Sequence, residues 1–220
     1  MNAHRLSIVL LLIYLIVPNA VLGSTQAYEK GMESIQDGNF AEAYFYWRPL
    51  ADAGDLESQY NVGWMYANGL GLNVNVLEAI RWWKKAAKKG HAPAKFSIGL
   101  AYLNGDGVKT DDEQAIEWML SAASTGYEDG QDILRRLILQ RESAAIAQLA
   151  ELGKQSWFTD KILVTGESVN LRKGPGTSHA IVGKTRKGEK LAAIGKRGKW
   201  VAILLPGDEL GWVFANLVEI

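Results

Sequence analysis

The feature that most constrains the fold of this chain is an internal repeat of 36 residues. Residues 58–93 align with residues 94–129 without a gap, and eleven identical residues fall in phase. In the first segment these are Gly63, Tyr66, Asn68, Gly69, Gly71, Ala79, Ile80, Trp82, Ala86, Ala87 and Gly90. Self-similarity at such a period is typical of solenoids built from stacked supersecondary units. The repeat therefore predicts a helical array.

Each repeat unit has the residue pattern of a helical hairpin. Apolar spacing predicts one helix over Gln59–Ala67 and a second over Leu77–Lys89, separated by a glycine-rich loop. Gly63 has no side chain and allows a neighbouring helix to approach closely. Trp82 and Gly90 mark the inward face and the end of the second helix. One hairpin cannot bury its apolar face alone, so neighbouring units must stack.

A shorter unit precedes these two, and a helical segment follows them. Gly54 lies 36 residues before Gly90, which indicates an opening unit with a shorter turn between its helices. Gln131–Leu152 is again helical in pattern and is expected to cap the last hairpin. The predicted boundaries are 24–57, 58–93 and 94–129 for the repeats, and 130–156 for the cap and linker.

The repeat motif resembles the Sel1-like repeat. Its pattern of Gly-x-x-Tyr, Gly-x-Gly-Val/Leu, Ala-x-x-Trp, Ala-Ala and Gly occurs twice in full, and the resemblance covers about residues 27–129. The opening unit resembles the related tetratricopeptide repeat. Asn75 replaces the acidic residue usual after the glycine loop, whereas Asp111 keeps it, which concerns local helix capping. The resemblance implies an α-solenoid that serves as a protein-interaction scaffold.

The composition changes after Gly153 from helical periodicity to β-branched residues, glycines and turns. Short strands at this spacing predict a sandwich or a small barrel, and a barrel of about sixty residues is feasible with two buried tryptophans. The predicted strands are Lys161–Thr165, Ser168–Arg172, Ile181–Lys184, Leu191–Ile194, Trp200–Leu204 and Gly211–Phe214. This region forms a predicted domain at 157–220.

The motif Val-Asn-Leu-Arg-x-Gly-Pro at 169–175 closely resembles the bacterial SH3 (SH3b) domain. Gly183, Gly188, Trp200 and Gly211-Trp212-Val213 follow at matching spacing, so the resemblance covers about residues 158–220. It implies a bacterial source and a small β-barrel that binds peptides or cell-wall material, although the ligand varies within the family. The predicted fold class is multidomain α plus β, an α-solenoid of Sel1/TPR-like helical hairpins followed by a small SH3-like β-barrel.

The first residues have the three-part layout of a secretory signal peptide. Arg5 precedes the apolar run Leu6–Val17, Pro18 interrupts the helix, and cleavage is expected after Gly23. The alternative is a retained anchor, but twelve residues give only about 18 Å of helix against a hydrocarbon core of about 30 Å. We expect a signal peptide over 1–23 and an exported protein of the periplasm or cell envelope, with no transmembrane segment after cleavage.

Composition excludes several chemistries. Cysteine is absent and only three histidines occur, so disulfides, thiolate metal sites and a cysteine nucleophile are excluded. No nucleophile elbow, zinc-protease motif, phosphate-binding loop or dinucleotide-binding motif is present. We therefore predict no catalytic residues, no cofactor, no metal site and no enzymatic activity.

The chain is neutral overall, and this neutrality argues against a nucleic-acid partner. The charge is nevertheless divided unevenly along the chain. Residues 24–156 carry 13 basic and 18 acidic side chains, whereas residues 157–220 carry 10 basic and 6 acidic ones. The basic turns can meet carboxylates of peptidoglycan or can be a solvated surface. Arg172 can hold a loop or contact an acidic ligand. The candidate partner-binding residues are Tyr60, Trp64, Arg172, Arg186, Lys187 and Arg197.

These observations predict an exported, non-enzymatic adaptor. The solenoid would bind a protein partner, and the SH3b barrel would dock on the cell wall or on a peptide. One alternative is a protein–protein module without affinity for the wall. Others are an accessory regulator of a cell-wall hydrolase and, less favoured, a cell-wall hydrolase itself.

Overall fold

The computed structural model describes residues 23–140 and 148–219. The predicted signal peptide lies outside the described residues apart from Gly23. The chain forms two compact units that divide between Thr110 and Asp111. Among the residues described, no helix combines the length and the apolar character that crossing a membrane requires.

The described part of the first unit is helical. Helix α1 covers residues 23–36, followed by α2 (Phe40–Ala53), α3 (Leu56–Asn68), α4 (Val76–Lys88) and α5 (Ala92–Asn104). The predicted helices of the second repeat coincide with α3 and α4 to within three residues at each end. The α-solenoid part of the predicted fold class is therefore confirmed.

Side-chain caps fix where these helices begin. Asp55 accepts a hydrogen bond from the backbone N–H of Ser58 at 2.8 Å, and Asn75 accepts one from that of Glu78 at 3.0 Å. Each cap satisfies one of the backbone donors that a helix start leaves unpaired. Asn75 therefore performs the capping role of the acidic residue that it replaces.

The close approach of α3 and α4 depends on Gly63. The indole of Trp83 lies directly against this glycine, and a Cβ added there would be 2.5 Å from Trp83 Nε1. The same indole donates a hydrogen bond to the Tyr60 carbonyl oxygen at 3.2 Å. A tryptophan of the second helix therefore interlocks with a glycine of the first.

The first hairpin has the same interlock. A Cβ on Gly31 would be 2.2 Å from Trp47 Nε1, and this indole nitrogen donates to the Tyr28 carbonyl oxygen at 3.2 Å. Trp47 is only 2% exposed and belongs to an apolar cluster with Val62 and Met65 of the next hairpin. Neighbouring hairpins therefore share one core.

The second unit begins with two helices that lead to the sheet. These are α6 (Asp112–Ala123) and α7 (Glu128–Gln140), and a further helical segment covers 148–152. The described part of α7 buries Leu134, Leu137 and Ile138. Leu139 reaches the barrel, where a Cβ on Gly195 would be 2.8 Å from its Cδ1. Residues 141–147 of the predicted cap lie outside the described residues.

A seven-stranded antiparallel sheet with the order β3-β2-β6-β5-β4-β1-β7 completes the second unit. Its strands are β1 (Asp160–Val164), β2 (Ser168–Arg172), β3 (Ile181–Arg186), β4 (Lys190–Arg197), β5 (Trp200–Leu205), β6 (Glu209–Phe214) and β7 (Val218–Glu219), with a 3-10 turn at Ala215–Leu217. The predicted β part of the fold class is confirmed.

Alternating side chains fill the interior of the barrel. Ile162 and Val164 of β1 pack with Val201 and Ile203 of β5, and each is at most 1% exposed. Among the tryptophans described in the barrel region, Trp212 is fully buried, whereas Trp157 and Trp200 are half-buried, so the expectation of two buried tryptophans was wrong. Trp200 packs edge-on against Phe214, with 5.5 Å between the ring centroids.

The interlock predicts the effect of Gly63→Ala. The added methyl group would overlap Trp83, so we expect the free energy of unfolding to fall by about 1–3 kcal/mol, measured by urea denaturation. In a Trp83→Leu background the same change should cost clearly less, because the overlapping ring is gone. Equal costs in both backgrounds would contradict the interlock.

Candidate functional site

A groove of about 380 Å³ lies on the first unit between α3 and α5. Its lining includes Trp64, Ala67, Asn68, Leu100, Asn104 and Asp106. Trp64 is 38% exposed, unlike the buried Trp47, Trp82 and Trp83. The groove thus combines an accessible aromatic surface with polar side chains at its margin.

Equivalent positions of successive repeats line this groove. Leu100 lies 36 residues after Trp64, and Asn104 lies 36 residues after Asn68. Asn68 Nδ2 donates to the Trp64 carbonyl oxygen at 2.8 Å, and Asn104 Nδ2 donates to Asp106 Oδ2 at 3.2 Å. Reasoning from sequence named Trp64 but missed Leu100 and the two asparagines, although their 36-residue offset was a usable signal.

Tyr60 does not line the groove. Its ring packs against the imidazole of His91 with 5.1 Å between centroids, and its carbonyl oxygen accepts the Trp83 indole. His91 caps α5, since Nδ1 accepts the backbone N–H of Ala94 at 3.2 Å, while Nε2 lies 3.1 Å from Glu57 Oε1. The structure therefore places Tyr60 and Trp64 in different surroundings, although both belong to α3.

Arg172 holds the loop between β2 and β3. Its Nη1 donates to the carbonyl oxygens of Thr177 at 2.9 Å and His179 at 2.8 Å. The ring of His179 in turn lies against Gly174, where a Cβ would be 2.6 Å from the imidazole. These contacts give Arg172 a positioning role in the loop.

The three basic candidates of the barrel do not form one patch. Arg186 and Lys187 lie at the turn before β4, and Lys187 Nζ pairs with Glu167 Oε1 at 2.9 Å. Arg197 ends β4, which is eight residues long, so roughly 24 Å of strand separates it from that turn. The structure thus places them in two separate basic regions.

The turn before β4 also holds a carboxylate. Thr185 Oγ1 donates to Glu189 Oε2 at 2.6 Å. This hydrogen bond, with a second one from the Arg186 backbone, lowers the pKa of Glu189 below its usual value. Glu189 is therefore ionised and engaged within its own turn.

Metal binding has no support from the part of the chain that the structure describes. Within residues 23–140 and 148–219, no group of three or more His, Asp or Glu side chains is placed to hold an ion. The candidate sites in these residues are a groove, a loop held by Arg172 and two separate basic regions.

Sequence models of known families identify this class of protein. Sel1 repeats match residues 20–55, 56–91 and 92–135, which together make up more than half of the chain. The chain therefore belongs to the Sel1 repeat family, and it carries a bacterial SH3 domain at 167–219. The matched repeats begin two to four residues before the predicted boundaries.

Solved structures of Sel1-repeat proteins resemble part of this chain. A protective antigen of uropathogenic Escherichia coli with an SLR fold is 27% identical, with a TM-score of 0.52, over 60% of this chain and 30% of that one. A Sel1 repeat protein from Oxalobacter formigenes is 23% identical, with a TM-score of 0.49, over 56% of this chain and 53% of that one. This chain thus spans only part of both proteins.

One curated relative shares the bacterial SH3 segment. The Bacillus subtilis protein named "Putative N-acetylmuramoyl-L-alanine amidase YrvJ" is 36% identical over 56 residues. The match covers 26% of this chain and 11% of YrvJ. It lies within the SH3 domain of this chain and includes no catalytic domain.

The contacts of Arg172 predict the effect of Arg172→Met. Loss of two charge-assisted hydrogen bonds should cost about 1–3 kcal/mol and increase amide hydrogen exchange throughout the loop at 173–180. Lys173→Met is a matched control, because it removes the same charge from an exposed neighbour without removing these bonds. Unchanged exchange in Arg172→Met would show that the loop does not depend on this side chain.

Proposed function

We propose that this protein is an exported, non-enzymatic adaptor. Its solenoid binds a protein partner in the groove between α3 and α5, and its SH3b barrel docks on the cell wall. The observation that carries this proposal is the exposed indole of Trp64 in a groove formed by equivalent positions of two repeats.

Packing within the repeats does not account for Trp64. The indoles of Trp47 and Trp83 fill the space against glycines, whereas 38% of Trp64 stays in contact with solvent. A tryptophan that remains accessible in a concave surface offers a large apolar area to a partner, and such residues often dominate interface energies. Asp106 adds a carboxylate at the groove margin for a polar or basic group of the partner.

Docking on the wall is supported by charge and by family resemblance. Residues 157–220 carry a net charge of +4, and peptidoglycan bears carboxylates. The shared SH3 segment of YrvJ, a protein named for an amidase that acts on cell-wall material, favours the same environment for this chain. The predicted signal peptide over 1–23 and the barrel at 157–220 agree with this location.

A second candidate function is the regulation of a cell-wall hydrolase. The similarity to YrvJ lies in the SH3 domain and includes no catalytic domain. A barrel of this kind can therefore direct a separate enzyme in trans. In this case the partner in the groove would be the hydrolase.

Site-specific crosslinking tests the groove. A photoreactive phenylalanine in place of Trp64 should give a discrete protein adduct in the native cell envelope. The matched control is the same residue at Leu77, which is 53% exposed and does not line the groove. The substitution Leu100→Gln should weaken the adduct formed at position 64. Equal adducts at both positions, or no adduct at 64, would contradict the proposal.

A further inference from the structure

The second unit contains a concavity of about 520 Å³ beside strands β1 and β4. The segment that follows the helical turn at 148–152 forms one wall of it. Three lysines line the concavity, together with an amide and two hydroxyl side chains, namely Lys154, Lys161, Lys190, Gln155, Ser156 and Thr159. Every one of these six side chains can donate a hydrogen bond.

Strand pairing brings two of the lysines together. Lys161 lies opposite Ala192, and Leu163 lies opposite Lys190 in the antiparallel register of β1 and β4. Because Ile162 points into the core, its neighbours along β1 face outward. Lys161 and Lys190 are therefore diagonal neighbours on the outer face of the sheet, with their Cβ atoms about 7 Å apart.

The carboxylates that the structure describes near the concavity form no ion pair with Lys161 or Lys190, although Glu189 precedes Lys190 in the chain and Asp208 lies beside Gly153 of the lining. Glu151 pairs with Lys154 at 2.9 Å, which also raises the pKa of that lysine. Glu189 accepts the Thr185 hydroxyl, and Asp160 lies 3.8 Å from Arg135. In the part of the chain that the structure describes, neither Lys161 nor Lys190 has an ion pair or a side-chain hydrogen bond.

We propose that this concavity binds a phosphate group. Two ammonium groups at this separation can contact different oxygens of one phosphate, and the hydroxyls of Ser156 and Thr159 add neutral donors. Lysine binds phosphate as a point charge, whereas planar carboxylates are matched best by the guanidinium fork, and no arginine lines the concavity. The ligand class is a phosphate ester, from a phosphorylated polymer or from a lipid headgroup.

This site goes beyond the proposed function and does not require it. The concavity shares no residue with the groove at Trp64, and its lining does not include Arg172, Arg186, Lys187 or Arg197. Its ligand can therefore be tested separately from peptidoglycan binding and from the protein partner.

The experiment titrates the protein, purified after export, with glycerol 3-phosphate. Binding is measured from the NMR chemical-shift changes of the backbone amides. We expect saturable shifts at Thr159, Lys161 and Lys190. The double variant Lys161→Gln/Lys190→Gln should weaken binding at least tenfold. The double variant Lys196→Gln/Lys199→Gln removes the same charge from the hairpin at the far end of β4, and its affinity should stay within twofold of wild type.

Two results would overturn the proposal. An equal loss of affinity in both double variants would mean that only net charge matters, and succinate binding as tightly as glycerol 3-phosphate would refute the preference for phosphate. Vesicles of phosphatidylglycerol, compared with phosphatidylcholine, distinguish the sources. Lysine-dependent binding to phosphatidylglycerol vesicles supports a lipid headgroup, and binding to glycerol 3-phosphate without vesicle binding supports a polymer.

Discussion

The first two hairpins of this protein depend on one contact, a tryptophan that packs directly against a glycine. Trp47 lies against Gly31 and Trp83 against Gly63, and each indole donates a hydrogen bond to a carbonyl oxygen of the facing helix. These contacts bury Trp47 and Trp83, whereas Trp64 of α3 stays 38% exposed in the groove. The groove follows from the stacking of repeats, since Trp64 and Leu100 occupy equivalent positions of successive units.

The sequence predicted what depends on local pattern. The 36-residue period located α3 and α4, and the capping role of Asn75 followed from its position. Contacts between distant residues were not predictable in this way. Tyr60 and Trp64 are one turn apart on the same helix, but His91, the residue that caps α5, packs against the ring of Tyr60. Periodicity predicts which face of a helix is buried, but it does not predict which neighbouring element covers that face.

The barrel shows the same limit in its charge distribution. Counting residues indicated a basic domain, but the grouping of its cations depends on which strands pair. The pairing of β1 with β4 brings Lys161 beside Lys190, whereas the length of β4 separates Lys187 from Arg197. Strand order in a small barrel is a tertiary property, so the proximity of Lys161 and Lys190 could not be read from spacing along the chain.

The predicted cap has two structural roles that sequence reasoning did not separate. Gln131 Nε2 donates to the Ala123 carbonyl oxygen at 3.1 Å, as Gln59 Nε2 donates to that of Ala51 at 2.9 Å, two repeat lengths earlier. Helix α7 thus begins like the first helix of a further repeat. Near its end, Leu139 contacts Gly195 of β4, so the same helix also packs against the barrel.

The proposed adaptor binds the cell wall through its barrel. Co-sedimentation with purified peptidoglycan sacculi tests this binding most directly. The chain without residues 1–23 should pellet with sacculi at low salt and be released as salt rises, because exposed basic groups are screened. Substitution of Arg186, Lys187 and Arg197 by glutamine should lower the pelleted fraction. A chain that circular dichroism shows to be folded, but that stays in the supernatant at every salt concentration, would contradict wall docking.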